Sequence, residues 1–481
     1  MKRFPALLSL CLALAPFAAA AQSDPLALTH VTVVDVESGS LRPDQTVIVR
    51  DGRIEWTGPA AQARVPAGAR VVDATGRYAI PGLWDMHVHT SREGRALHFW
   101  PQFLAYGVTG VREMGSYLDS LQYWRGRARQ PGAVAPRIVY SSPMLDGNPP
   151  AWRHGYGVAD SAAAVAAVDT MAALGFDFLK VYSRLSRDAY FSIARRARER
   201  GIPFAGHIPQ SVTPLEASDA GQRSLEHLDE RMYMTCVPGG QARLDAFLDA
   251  RSSGAPRDSV NATLRRLMEA ALIGADAETC RPVLQRLAAN GTWITPTLAV
   301  ARGFHPPPEL MADPRLRFVP AGLAQRWAST RDSGEDADME RRINERMARM
   351  VGLMQAAGVG ILAGTDASDE AYVFAGSGLH DELQLLVDAG LTPLQALRAG
   401  TLNPARYLGA LDLMGTVAAG KAADLVLLDA DPLRDIRNTT RIFAVVARGR
   451  LIDAAERDRL LRVAEEEARR AAIAPPARQD D

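Results

Sequence analysis

From about residue 81 to residue 366 the chain repeats one pattern: a short apolar run, then a longer amphipathic stretch. Eight apolar runs end near His89, Met114, Ser142, Tyr182, His207, His227, Leu298 and Asp366, with helix-like stretches such as 160–174 and 187–200 between them. Strands joined through helices lie parallel, because the helix carries the chain back across the sheet. Eight such units predict the α/β class and a closed (β/α)8 barrel with its helices outside. The barrel accounts for about 250 residues, and the chain has 481, so a second body is required. With 47% hydrophobic residues, a large core is available to both.

The second body is written at both ends. Leu28–Asp35, Gln45–Arg50 and Arg53–Trp56 read as strands, with a turn at Asp51-Gly52. Asp424–Leu428 and Phe443–Arg448 repeat the style, punctuated by Gly415, Gly420 and Gly449. The two pieces predict one small sheet domain made from both ends. The expected organisation is a signal peptide over 1–21, sheet residues 22–80, a barrel over 81–408, sheet residues 409–456, and a charged, Ala-rich helix or tail over 457–481.

Lys2 and Arg3, the apolar run Leu7–Phe17 and the cluster Ala18–Ala21 have the form of a cleavable export signal. The run is too short to span a membrane. Cys11 follows Leu10, where a lipoprotein signal would carry a small residue. The expectation is an exported, periplasmic protein without a membrane anchor. Cys236 and Cys280 remain after cleavage, both inside the longest excursion, 230–290; an oxidising compartment favours pairing them. Lys+Arg and Asp+Glu balance at 55 each, which gives no reason to expect a nucleic-acid partner. A homo-oligomer is compatible with the sequence.

Four histidines, one lysine and one aspartate fall at the C-terminal ends of the expected strands, the face where barrel enzymes carry their sites. His87 and His89 sit two apart on a strand, so both imidazoles share a face and can bind one ion; a core pair with other partners is the alternative. Lys180, in Phe178-Leu-Lys-Val-Tyr182, is costly in an apolar strand unless used. One use is a carbamate formed with carbon dioxide, a bridging carboxylate; a lysine reaching out to solvent is the other reading. His207 and His227 offer two nitrogens to a second ion. Asp366, in Leu362-Ala-Gly-Thr-Asp-Ala367, can bind metal and take a proton from water. Tyr182 shares a face with Lys180 and can reach substrate or pack. Arg112 can pair a substrate carboxylate, or a buried acid such as Glu113. His154 can reach the site from the loop after the third strand or stay on the surface. His380 reads as a local helix cap, and His98 and His305 as surface or packing residues.

The order HxH, Lys, His, His, Asp resembles the binuclear members of the amidohydrolase superfamily. Pro81-Gly-Leu-Trp-Asp-Met-His-Val-His89, Gly364-Thr-Asp366, Thr401-Leu-Asn-Pro-Ala405 and Gly415-Thr-Val-Ala-Ala-Gly-Lys-Ala-Ala-Asp-Leu425 are similar to imidazolonepropionase-like and Xaa-Pro-dipeptidase-like members, over roughly 25–455. The resemblance implies a composite β-sandwich from both chain ends and two divalent metal ions, usually zinc. Their ligands would be His87, His89, Lys180, His207, His227 and Asp366, with Lys180 carboxylated. It also implies hydrolysis of an amide or cyclic amide; the expected substrate class is a dipeptide or N-acyl amino acid, and the ligand set points to a metal-bridged hydroxide, with Asp366 as general base and then acid. Imidazolonepropionase is mononuclear and lacks the lysine, so Lys180 speaks against that activity. Val111-Arg-Glu-Met-Gly115 and Ser183-Arg-Leu-Ser186 depart from the family's usual text and leave the substrate open. A lactonase, esterase or phosphotriesterase on the same centre, a mononuclear cyclic amidohydrolase, and a binding protein on a decayed hydrolase scaffold are the rival readings.

Overall fold

The computed structural model describes residues 24–91, 96–228, 230–304, 306–329, 337–367 and 370–473. The expected signal peptide and His305 lie outside the described residues.

The central sheet has eight parallel strands in chain order: Leu83–Val88, Val108–Glu113, Arg137–Asp146, Phe178–Val181, Phe204–Gly206, Ser224–Glu226, Trp293–Thr295 and Gly360–Ile361. A two-residue strand, Tyr156–Gly157, adds to the third. The sheet closes on itself where the segment after Ile361 runs beside the first strand. Met86 N donates to Ala363 O (2.9 Å), Asp366 N to His87 O (2.7 Å) and His89 N to Ala367 O (2.6 Å). The result is a TIM-like barrel. Helices cover it, among them Ser161–Ala173, capped by Asp160, and Arg187–Arg200, capped by Ser186, close to the two expected stretches.

Three strand ends differ from expectation. The third runs on to Asp146, because Leu145 pairs with both Val181 and Tyr156. The seventh stops at Thr295: Pro296 has no N–H for the ladder, and Leu298 already opens the helix Leu298–Phe304. The eighth stops at Ile361, five residues before Asp366, which is held by single backbone contacts to the first strand.

Both chain ends meet in one sheet of eight strands. Its path is Arg450–Ile452, Ile442–Ala447, Leu425–Leu428, Tyr78–Pro81, Leu26–Val34, Leu41–Arg50 and Arg53–Pro59, with Arg70–Asp73 beside Leu26–Val34. Leu425–Leu428 pairs antiparallel with Tyr78–Pro81, Val426 opposite Ile80, which is the seam between the two ends. Leu28, Val47, Ile54, Leu425, Leu427 and Val446 belong to an apolar cluster separate from the barrel's. Between the sixth and seventh barrel strands the chain forms helices Glu230–Thr235, Gly240–Ser252, Arg257–Ile273 and Ala277–Ala289, and Cys236 is joined to Cys280 by the expected disulfide. The C-terminal segment is a helix over Ala454–Ile473, and no helix among the described residues is long and apolar enough to cross a membrane.

Candidate metal centre

His89, His207 and His227 are each the first residue past a barrel strand, His87 sits in the first strand, and Lys180 in the fourth. Strand geometry thus aims five side chains into one mouth. Two of the site's residues adopt left-handed backbone, His227 at φ 68° and Asp366 at φ 62°. Such strain in non-glycine residues concentrates where the surroundings enforce it for function. The glycine of Gly364-Thr-Asp366 is needed for approach: a Cβ there would stand 2.9 Å from His87 N and 2.5 Å from Thr295 Cγ2. Gly206, before His207, is under the same constraint, with Val181 O 2.1 Å from where a Cβ would be.

The side chains form two groups. His87 Nε2 and His89 Nε2 lie 3.4 and 3.3 Å from Asp366 Oδ1. His207 Nε2 and His227 Nε2 lie 3.1 Å apart, and His227 Nε2 is 3.8 Å from Asp366 Oδ2. Lys180 is fully buried, and its charge reaches His87, His207 and His227. Burial first, and then neighbouring positive charge, keep all three imidazoles neutral: His87 and His207 fall well below their usual range and His227 to about 3. Neutral imidazole is the ligand form.

The other ring nitrogens fix which lone pair faces inward. His87 Nδ1 is 2.8 Å from Glu226 Oε2, and His89 Nδ1 is 2.7 Å from Gly115 O. A carboxylate and a carbonyl only accept, so both histidines donate through Nδ1 and present a bare Nε2. His227 Nδ1 is 2.7 Å from Thr297 Oγ1, and His207 Nδ1 is 3.2 Å from Ser183 Oγ. His87 Nε2 is buried with no hydrogen-bond partner among the described residues, a costly arrangement for a lone pair unless a ligand takes it up. His87, His227 and Asp366 offer one ligand atom each, all within 4.8 Å of one another, so they can hold a metal ion. Two ligands about 2.05 Å from a tetrahedral ion stand about 3.3 Å apart, close to the separations within each group. The residues present fit a metal.

The supporting residues were not foreseen. Glu226 is legible afterwards as a buried acid sharing a strand face with Ser224. Thr297, on the loop after the seventh strand, left no mark in the sequence. Asp85 accepts from Thr365 N, Thr365 Oγ1 and His87 N, joining the first motif to the last, and burial raises its pKa to about 7.

Arg112 is not a substrate ligand, which corrects the first of its two readings. It is fully buried and all five N–H groups are taken: Nε by Met86 O, Nη1 by Ser224 Oγ and Tyr407 OH, Nη2 by Glu226 and Thr295 Oγ1. Its acid is Glu226 rather than Glu113. Glu113 Oε2 instead accepts from the N–H and hydroxyl of both Thr90 and Ser91, pinning the loop beyond His89. His380 is not a cap either. Four residues past the N-cap Gly376, it is buried between Thr439 Oγ1 and Tyr106 O, 2.9 Å from each. His98 packs inside, 2.7 Å from Phe318 O.

A cavity of about 820 Å³ opens over the centre, lined by His89, His207, His227 and Asp366, with Tyr182, Trp152, His154, Tyr117 and Arg231 among its other residues. Tyr182 lies on His207, ring centroids 4.1 Å apart, and accepts from Trp152 Nε1 at 2.8 Å. Burial, foremost, raises its hydroxyl pKa to about 12, so it stays a neutral donor. His154 stacks on Trp152 at 6.0 Å. The structure therefore brings Tyr182 and His154 to the cavity and leaves Arg112 beneath it.

Residues 78–452 match the model of the amidohydrolase family. Imidazolonepropionase from Cereibacter sphaeroides is 24% identical over 428 residues, covering 84% of this chain and 93% of that protein. An adenine deaminase from Rubrobacter xylanophilus is 38% identical over 86 residues only, and the chain spans 14% of its length. Among solved structures, bottromycin amidohydrolase superposes with a TM-score of 0.72 at 24% identity, covering 94% of each chain. A Xaa-Pro dipeptidase with bound methionine superposes with 0.62 at 17%, covering 90% of this chain and all of that one. With the family model spanning more than three-quarters of its length, the chain belongs to the amidohydrolase family.

Proposed function

We propose that the chain is an exported, binuclear amidohydrolase that cleaves the amide bond of a dipeptide or N-acyl amino acid. The observation that carries this reading is the pair of donor groups at tetrahedral spacing, His87, His89 and Asp366 on one side and His207 and His227 on the other, with Lys180 buried among them. The first group would hold one divalent ion, zinc by ligand type, the second group another, and Lys180, as a carbamate, would lie between.

Bound ions supply an acidified water and a polarised carbonyl. The chain's residues do the rest. Asp366 takes the water's proton on a carboxylate oxygen and later delivers it to the leaving nitrogen. Tyr182 and His154 hold substrate from the wall. Arg231 lines the same cavity close enough for its charge to reach His207, which suits a substrate carboxylate. Glu370 on the lining suits an ammonium group.

We read the barrel as 81–408 and the sheet domain as a small sandwich from 22–80 and 409–456, a division supported by its separate apolar cluster. Export is supported by the Cys236–Cys280 bond, which belongs to an oxidising compartment; N-terminal sequencing of exported protein should begin near Ala21 or Gln22, and a chain retaining Met1 would oppose it.

The deciding experiment screens dipeptides and N-acyl amino acids against purified, zinc-loaded protein, beside matched lactones and phosphotriesters, with products identified by mass spectrometry. Turnover of amides and two ions per chain are expected. Activity confined to lactones or phosphotriesters would refute the proposed chemistry, and one ion per chain the binuclear centre.

A further inference from the structure

Beneath the metal centre runs a chain of buried polar contacts with no direct path to substrate. Tyr407, at the opposite face of the barrel, accepts from Arg112 Nη1 at 2.9 Å. Arg112 Nη2 donates to both oxygens of Glu226, at 2.8 Å each. Glu226 Oε2 in turn lies 2.8 Å from His87 Nδ1. Arg112, Glu226 and His87 have no exposed side-chain surface. Tyr407 stands two residues past Thr401-Leu-Asn-Pro-Ala405, a family-like motif that supplies no ligand to the site.

A buried ion pair is a poor source of stability, because desolvation consumes most of its attraction. Its retention here calls for another use, and the geometry supplies one. We propose that Glu226 is the positioning residue for His87 and that Arg112, anchored by Tyr407, holds the Glu226 carboxyl group in place for that purpose; the proposal rests on the metal reading above. As a carboxylate, Glu226 can only accept. It locks the His87 proton on Nδ1, orients the ring, and leaves the Nε2 lone pair facing Asp366 Oδ1, 3.4 Å away. Arg112 does this without reaching the site itself. Ser224 Oγ, which donates to Glu226 and accepts from Arg112, closes the network.

The test compares two paired variants of the full chain, both with the charges removed: Arg112→Met with Glu226→Gln, and Arg112→Met with Glu226→Leu. They differ in whether His87 Nδ1 retains an acceptor. Zinc affinity is measured on metal-free protein by competition with a chromophoric chelator, and the visible spectrum of the cobalt-loaded protein reports ligand geometry. The leucine pair should bind zinc about 10–100-fold more weakly than the parent, the usual effect of removing such a partner, with an altered cobalt spectrum. The glutamine pair should recover most of the affinity. Equal affinity in the two pairs, at similar unfolding midpoints, overturns the proposal. Where a pair does not fold, Glu226→Ala alone answers, since it removes the acceptor: at least a tenfold loss is expected, and parent-like affinity overturns the proposal. A parent that binds no zinc removes the metal reading itself, an outcome distinct from equal binding by the variants.

Discussion

Lys180 is a fully buried amine among three imidazoles that burial keeps neutral. As an ammonium 4 Å from a cation it would cost about 4 kcal/mol for each charge it faces, at an effective dielectric of 20. As a carbamate it brings a negative charge and two oxygens to the same place. Lys180→Ala should lower metal content from two ions toward one and remove most activity, and Lys180→Arg should do no better, since guanidinium cannot carry the carbamate. Elemental analysis and turnover of Lys180→Arg beside the parent check this; two ions with normal turnover would mean a centre built without the lysine. The residues that meet at the barrel mouth were legible in the sequence because His89, His207 and His227 close apolar runs, with His87 and Lys180 two residues before the end of theirs. Their supports were not: Gly115 acts through its carbonyl and Thr297 through a left-handed loop position, and neither has a sequence signature.

At the scale of elements, the insertion between the sixth and seventh strands is where the fold departs most from a minimal barrel. Helix Glu230–Thr235 is short, and helices this short are marginal alone. The Cys236–Cys280 bond, just past that helix, closes a loop of sequence separation 44 around helices Gly240–Ser252 and Arg257–Ile273, worth about 4 kcal/mol in the chain-entropy model. Cys236→Ser with Cys280→Ser should therefore lower the denaturation midpoint and raise protease sensitivity within 230–290. Reductant should act likewise on the parent and have no effect on the variant, and an unchanged midpoint in both would show that the helices hold without the bond. The capped barrel helices were readable from Asp160 and Ser186, residues that supply an acceptor for free N–H groups. The ends of the seventh and eighth strands were less so, because apolar residues continue past the point where the ladder stops.

At the scale of the molecule, the composite sheet joins the barrel's apolar core through Ile80, Val426, Leu428 and Val445, and buried polar contacts add to that tie. His380, on the barrel helix Ser377–Asp388, touches Thr439 of the 3-10 turn Ile436–Thr440 and Tyr106 after the first barrel helix. Burial, foremost, depresses its pKa to about 4 from 6.5. Unfolding returns it to 6.5, so between these values the unfolded chain binds more protons and stability falls as pH drops from 6.5 to 4, by roughly 3 kcal/mol for this group. His380→Gln should flatten that part of the stability–pH curve, read from denaturant midpoints at pH 7 and pH 4.5; parallel curves for parent and variant would show that His380 does not titrate there. By itself the sequence determined the barrel, the two-ended sheet and the identity of the residues at the mouth, because period, turn chemistry and strand alternation are local properties of the chain. Only the tertiary structure decided that Arg112 turns away from substrate to hold Glu226, that Glu226 and Gly115 choose the tautomers of His87 and His89, and that Asp366 meets both. Those pairings join residues from 26 positions apart (His89 and Gly115) to 279 apart (His87 and Asp366), and their energy depends on burial that exists only once the barrel has closed.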